Sequence, residues 1–291
     1  MRSTRLALAA ILSTSLVSVV SSTGAVAQAA TSPSLATCKT LISSQELVKG
    51  KLTVATDSPV YSPWFVNNTP TNGQGYESAV TYAIANELGI AKANVKWTTE
   101  AFDSSYVPGH KHFDFDINEI SYTANRAQAV TFSVSYYNVN QSIVSLKTSA
   151  ILKKHSPAEL KTYQYGDQIG TTGLAYINNF IKPTRPARVY STLADAVLAL
   201  KDKQIDAIVI DTPSGQYMAT SQVVNSKNQS LADQVGQFPS VGEHYGLLFQ
   251  KGDPLVTCVN VAINALTSSG QLKALETKWL GIYNSVPTIK P

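Results

Sequence analysis

The chain has 291 residues, of which 44% are hydrophobic and 14% charged, with 14 Tyr and a net charge of +4. That length suits two lobes or one large domain. The modest charge excludes a disordered chain or one built to grip a phosphate backbone, so no nucleic-acid partner is expected.

Arg2 and Arg5 are the only charged side chains among the first 30 residues, so the remainder is close to neutral. They precede an apolar core, Leu6 to Val20, diluted by Ser and Thr. Ala25-Val26-Ala27 and Ala27-Gln28-Ala29 are small-x-small cleavage sites. This predicts a signal peptide over residues 1–29. No Cys follows the core, which argues against a lipid anchor. The core is too short and Ser-rich for a stable membrane span, and no later stretch reaches about 18 apolar residues. The mature protein is expected to be soluble and periplasmic. In an oxidising compartment the two cysteines, Cys38 and Cys258, most simply form one disulfide across a very long loop, two separate buried thiols being the alternative.

Along the mature chain, Leu41 to Val48 has the makings of a short helix and Lys51 to Thr56 alternates like a strand. A Pro-broken aromatic loop, Asp57 to Phe65, and turn residues Asn67 to Gly75 lead into a helix from Tyr76 to Leu88, stopped by Gly89. Val95 to Thr98 is a second strand. Phe113 to Ile117 alternates apolar and acidic residues, and Val130 to Val134 is another apolar run. Later come strands at Tyr165–Ile169, Arg188–Tyr190, Ile205–Ile210 and Tyr245–Phe249. Helices are predicted at Leu174–Phe180, Thr192–Lys203, Leu255–Leu266 and Gln271–Leu280. The repeated strand, loop, helix, strand order argues an α/β fold with a largely parallel sheet. Two such units and a returning C-terminus suggest two lobes, crossed near Ser142–Ser145 and Val241–Tyr245, with 30–143 and 243–291 in the first and 144–242 in the second.

Ligands of open α/β sheets bind outside the carboxyl ends of the strands. Those ends carry Asp57 to Trp64, Phe102, Glu119 to Arg126, Gly170 to Thr172 and Asp211, drawn from both halves. Within Asn118 to Arg126, a strand end delivers the Ser121 hydroxyl and the next turn delivers a guanidinium. That combination suits a carboxylate, which Arg126 can grip with two parallel charge-assisted hydrogen bonds. A surface Arg capping a loop is the plainer alternative.

These residues resemble the bacterial extracellular solute-binding proteins of family 3, the amino-acid receptors of ABC importers. The resemblance covers nearly the whole mature chain. It rests on Leu52-Thr53-Val54-Ala55-Thr56-Asp57 with Tyr61-Ser62-Pro63-Trp64, Gly75-Tyr76-Glu77, and Ile120-Ser121-Tyr122-Thr123 with Arg126. It continues through Tyr136-Tyr137, Gly170-Thr171-Thr172, Asp206-Ala207 with Asp211, Tyr245-Gly246 and Lys278-Trp279-Leu280-Gly281. Each motif is weak alone; their order and spacing carry the likeness. It implies the type II periplasmic binding fold: two lobes, a two-segment hinge and a ligand cleft between them.

The resemblance also implies roles. Arg126 would hold the ligand α-carboxylate, and Ser121 would share that group or receive the amine. Thr171 or Thr172 would bind the carboxylate from the second lobe, N-capping being the alternative. Asp211 would accept the α-ammonium, or else begin a turn before Pro213. Tyr61, Phe102 and, with less weight, Trp64 would wall the ligand, although aromatics are more often core. Asp57 stands at the first strand end beside them. Glu119 departs from the family pattern, which has a small residue there. It implies a ligand with extra positive charge, unless the side chain points outward to a surface Lys or Arg. The expectation is therefore a monomeric receptor, without cofactor or catalysis, that closes on a polar or cationic amino acid and delivers it to an inner-membrane ABC permease.

An enzyme resembling cyclohexadienyl dehydratases, with Glu119 as a buried general acid, is the alternative. No Ser–His or Cys–His set is evident, and His155 and His244 have no motif context. A metal site is a weaker rival, drawn from the alternating His110, His112, Asp114 and Asp116. Pro108-Gly109 begins a turn there, and no metal is expected.

Overall fold

A computed structural model describes residues 32–283 and 286–289. The expected signal peptide lies outside the described residues. The chain runs α1 (Leu35–Gln45), β1 (Leu52–Thr56), α2 (Tyr76–Glu87), β2 (Val95–Thr99), α3 (Phe102–Ser105), β3 (Phe115–Asp116), α4 (Arg126–Ala129), β4 (Thr131–Asn138) and β5 (Gln141–Leu146). It continues α5 (Pro157–Leu160), β6 (Gly166–Gln168), α6 (Thr172–Tyr176), β7 (Arg188–Tyr190), α7 (Leu193–Lys201), β8 (Ala207–Asp211) and α8 (Thr212–Tyr217). Last come β9 (Ala232–Gln237), β10 (His244–Phe249), α9 (Leu255–Ser268) and α10 (Gln271–Leu280).

The first half is a five-stranded sheet of order β2-β1-β3-β10-β4. Its β1 runs parallel to β2 and β3, whereas β10 is antiparallel to β3 and β4. The second half holds the sheet β8-β5-β9, antiparallel throughout, and the parallel pair β6-β7. The sheets are therefore mixed, not largely parallel, because strands that return across the midline must pair in reverse. The strand β9 escaped the sequence reading: its residues Ala-Asp-Gln-Val-Gly-Gln carry a weak β pattern, and its place is set by pairing with β5.

The chain passes between the halves at 139–140 and 238–243. These crossings run side by side, with the Val139 amide donating to the Glu243 carbonyl at 3.0 Å. Ser142–Ser145, expected to cross, instead lie inside β5, whose six residues are all buried. After α10 the chain returns to the second half, where Thr288 bridges Gln237 and Ile289 is buried.

Each half has its own core. In the first, Trp64, Phe65, Tyr76, Phe115, Tyr245 and Phe249 are essentially inaccessible. α9 buries Leu255, Cys258, Val259, Ala262, Ile263 and Leu266, the three-and-four spacing of a single helical face. In the second half, Val144 and Ile208 face one core while their neighbours Ile143 and Val209 face another. That is the two-residue alternation of a sheet covered on both sides.

Cys38 of α1 is bonded to Cys258 of α9, with Cα atoms 5.3 Å apart and 220 residues between them in sequence. Cross-linking so long a loop limits the unfolded chain. Replacing both cysteines by Ser should lower unfolding free energy by at least about 2 kcal/mol in urea titrations. An unchanged midpoint would mean that the docking of α1 alone holds the N-terminal segment.

Candidate functional site

Strand ends from both halves open onto one cavity of about 410 Å³. Asp57 follows β1, Phe102 opens α3 after β2, and Glu119 and Arg126 follow β3. From the second half come Asp167 and Thr171 around β6 and α6, Thr172, and Asp211 at the end of β8. Eight of the ten residues expected at the site line this cavity: Asp57, Tyr61, Phe102, Glu119, Arg126, Thr171, Thr172 and Asp211.

Trp64 and Ser121 do not line it. Trp64 is fully buried, edge-on to Tyr137 and Tyr245 with ring centres 5.4 and 5.5 Å away. A ring that large completes the first core, and its indole N–H donates to the Ser214 hydroxyl at 2.7 Å. Ser121 is also buried. Its hydroxyl donates to the Glu243 carboxylate at 2.7 Å, and its carbonyl, not its side chain, meets Arg126.

Arg126 is the first residue of α4 and is 7% exposed. Its Nη1 donates to the Ser121 carbonyl at 2.7 Å and its Nη2 to the Gly170 carbonyl, in the other half, at 2.9 Å. The guanidinium lies over the Phe102 and Tyr106 rings, 5.3 and 4.8 Å from their centres. It is not a surface residue capping a loop, and it forms no ion pair among the described residues. Burial pulls its pKa down, opposed by Tyr106, Glu243 and Asp211, but a guanidinium stays charged.

Glu119 points inward. Its φ of 54° is in the left-handed region that a Glu seldom adopts, and its amide donates to Glu77 Oε1 at 2.7 Å. Its Oε2 accepts the Ser214 hydroxyl at 2.7 Å. Burial, then the neighbouring Glu77 and Asp211 charges, push its pKa well above the usual carboxylate range. Glu77, in the first turn of α2, is wholly buried and accepts the Tyr136 hydroxyl. Burial pushes it up to about 8.

Asp211 accepts the Gln141 side-chain amide at 2.6 Å. Burial, with Glu243 adding to it, pushes Asp211 up to about 7. The same Gln141 nitrogen lies 3.2 Å from Thr172 Oγ1 and 3.1 Å from Glu243. Thr171 behaves as the N-cap of α6: its Oγ1 accepts the Leu174 amide at 3.1 Å and donates to the Gln168 carbonyl at 2.9 Å. Asp167 is buried below it, and burial pushes its pKa well up.

Among the described residues, the charged ones lining the cavity are five acids, Asp57, Asp103, Glu119, Asp167 and Asp211, against one base, Arg126. Chemically, the fork of Arg126 can take one carboxylate, while acids held above their usual pKa are stabilised by any cation that enters. Sequence reasoning missed Gln141, Asp167, Ser214 and Glu243. Asp167 left a signal, an acid inside a strand, but the others acquire their partners only through the meeting of the two halves.

The histidine and aspartate alternation does not converge. His110 meets Gln250 at 2.8 Å and His112 meets Glu100 at 3.2 Å, whereas Asp114 is buried, accepting the Leu47 and Thr53 amides at 2.6 and 2.5 Å. Among the described residues, no group of three or more His, Cys, Asp or Glu side chains is arranged to hold a metal ion.

Comparison with known proteins places this geometry in context. A family model described as bacterial extracellular solute-binding proteins, family 3, matches residues 52–282. A probable histidine-binding protein of Campylobacter jejuni is 32% identical over 158 residues, 53% of this chain and 57% of that protein, so the match spans little over half of that relative's length. The arginine-binding extracellular protein ArtP of Bacillus subtilis is 25% identical over 251 residues, 84% of this chain and 92% of that one. Among solved structures, an ancestral arginine-binding protein bound to glutamine superposes with a TM-score of 0.65 at 24% identity. That match covers 80% of this chain and 99% of the other, and it shares the type II periplasmic binding fold.

Proposed function

The chain belongs to the bacterial extracellular solute-binding proteins, family 3, and from that premise we propose that it is a periplasmic receptor for a cationic amino acid. The observation that carries the reading is the charge balance of the cavity: one buried guanidinium for a carboxylate, and five acids around it. An α-amino acid with a basic side chain brings one carboxylate and two cations, the complement of that set. Arg126 holds the carboxylate, Asp211 exchanges Gln141 for the ammonium, and Glu119 with Asp57 draws the side-chain cation. The relatives named for histidine and arginine binding agree in ligand class.

Capture proceeds by closure of two lobes divided at 139–140 and 238–243, rather than after residues 143 and 242 as the sequence suggests. The closed surface is what an ABC permease reads. Residues 1–29 are the export signal, and the receptor works as a monomer without cofactor.

A thermal-shift screen of the common amino acids tests the reading. A ligand present at 100 times its dissociation constant adds about 2.7 kcal/mol of stability. Arginine, lysine or histidine should raise the midpoint and glutamate should not. A shift with acidic or only neutral amino acids would refute the cationic assignment. Affinity also carries a pH signature. Burial pushes the Asp211 carboxyl up to about 7, so below that pH a ligand ammonium must displace a proton from it. Binding of arginine should therefore strengthen as pH rises from 5 to 8 and weaken on the way down, by up to tenfold per pH unit for one group. Incubation of the purified protein with prephenate, followed by product analysis, separates the dehydratase alternative; turnover would overthrow the receptor reading.

A further inference from the structure

Ser214 belongs to none of the roles described so far, yet it joins the two halves at the site. It is the third residue of α8, 9% exposed, in the second half. Its two partners, Trp64 and Glu119, belong to the first half, each 2.7 Å from its hydroxyl oxygen. An indole N–H is a donor only, so Ser214 must accept from Trp64. Its single hydroxyl proton is then directed to Glu119 Oε2. The order Trp64, Ser214, Glu119 then runs from donor to acceptor and holds Oε2 as the acceptor when Glu119 is ionised. Among the described residues, Oε2 alone of the two Glu119 oxygens takes a side-chain hydrogen bond.

The two ends of this chain are rigid. Glu119 is fixed in the left-handed region with its amide on Glu77. Ser214 is followed by Gly215, where an added Cβ would stand 2.7 Å from Gln234 Nε2 and 2.8 Å from Ser142 Oγ, so α8 is seated tightly on the second sheet. The hydroxyl therefore travels with the second half and reaches Trp64 and Glu119 together only when the halves meet.

We propose that Ser214 is a positioning residue for ligand discrimination: its hydroxyl, oriented by Trp64, fixes Glu119 Oε2 on closure and leaves Oε1 to receive a cationic group of the ligand. This rests on the reading of the cavity as a cationic amino-acid site. It also reassigns Trp64 from a wall of the ligand to the donor that sets the relay. Selectivity for charge thereby becomes a property of the closed form, because Glu119 is aimed only when α8 is in place.

Two measurements separate the relay from the ligand reading. In the ligand-free protein, the indole N–H of Trp64 is identified in a nitrogen-correlated spectrum by elimination, using Trp97→Phe and Trp279→Phe. Ser214→Ala should displace that signal and speed its exchange with solvent, while Ser214→Thr should preserve it. A Trp64 signal unmoved by Ser214→Ala overturns the relay whatever the ligand. The second measurement compares dissociation constants for arginine and for citrulline, its uncharged isostere. Ser214→Ala should reduce the preference for arginine about tenfold, and should have no further effect on that preference in a Glu119→Gln background. Equal weakening of both ligands, or the same loss with Glu119→Gln present, overturns the positioning role. Wild-type protein that prefers citrulline would sink the cationic reading and this role with it, even with the indole signal displaced as expected.

Discussion

An Arg126→Ala variant should remain folded and lose amino-acid capture, with a binding penalty of about 2–5 kcal/mol in calorimetric titration with arginine. The size follows from burial. Arg126 is 7% exposed, and among the described residues no second base lines the cavity. Removing the guanidinium would leave the ligand carboxylate desolvated among acids and without a donor. Among the described residues the guanidinium is satisfied by two carbonyls, Ser121 and Gly170, and two aromatic faces, not by an ion pair. Both N–H groups are thus already aimed into a site shared by the two halves. Entry of a carboxylate trades neutral acceptors for a charged one, which strengthens the hydrogen bonds. Arg126→Lys should recover little, since a point charge replaces a planar fork. Titration of Arg126→Ala with wild-type affinity would mean that the carboxylate is held elsewhere.

Much of this site was legible in the chain because strand ends announce themselves. A hydrophobic run stops, and polar residues follow at the place where an α/β fold exposes its loops. Glu119, Arg126 and Asp211 all stand at such stops, and all line the cavity. Trp64 was misread for a related reason. Its loop follows a strand end, but a side chain of that size, 0% exposed, serves the core first. What the sequence concealed are partners more than 90 residues apart. Ser214 lies 95 positions from Glu119, and Gln141 lies 102 from Glu243. No periodicity links such pairs; only the packing of the halves does. Glu77 illustrates the limit. It looked like part of a helix-opening motif, yet it is a wholly buried acid beneath Glu119 whose role depends on Tyr136 and the Glu119 amide.

Gly75→Ala should be the most damaging small substitution in the first half, lowering unfolding free energy by more than about 4 kcal/mol. Gly75 has φ 95° and ψ 159°, a region open essentially to glycine alone. There is no space either. A Cβ at this position would lie 2.3 Å from the Trp64 carbonyl oxygen and 2.7 Å from Phe65 Cα, both backbone atoms. The crowding has a purpose. α2 has no side-chain cap, and its first amides are satisfied by the loop: Tyr76 donates to the Pro63 carbonyl at 2.9 Å and Glu77 to the Trp64 carbonyl at 3.1 Å. The loop must lie against the helix start for this, and glycine is what lets it approach. A methyl group would push the loop away, strand those amides and displace Trp64 from the core and from Ser214. Gly50→Ala is the control. Gly50 also has positive φ, 75°, but nothing lies within 4 Å of its would-be Cβ, so only backbone strain of about 1–2 kcal/mol applies. Urea denaturation of the two variants decides the matter. If Gly75→Ala is no worse than Gly50→Ala, the loop is not wedged on the helix. The chain from Gly75 through Trp64 and Ser214 to Glu119 would then lack its anchor.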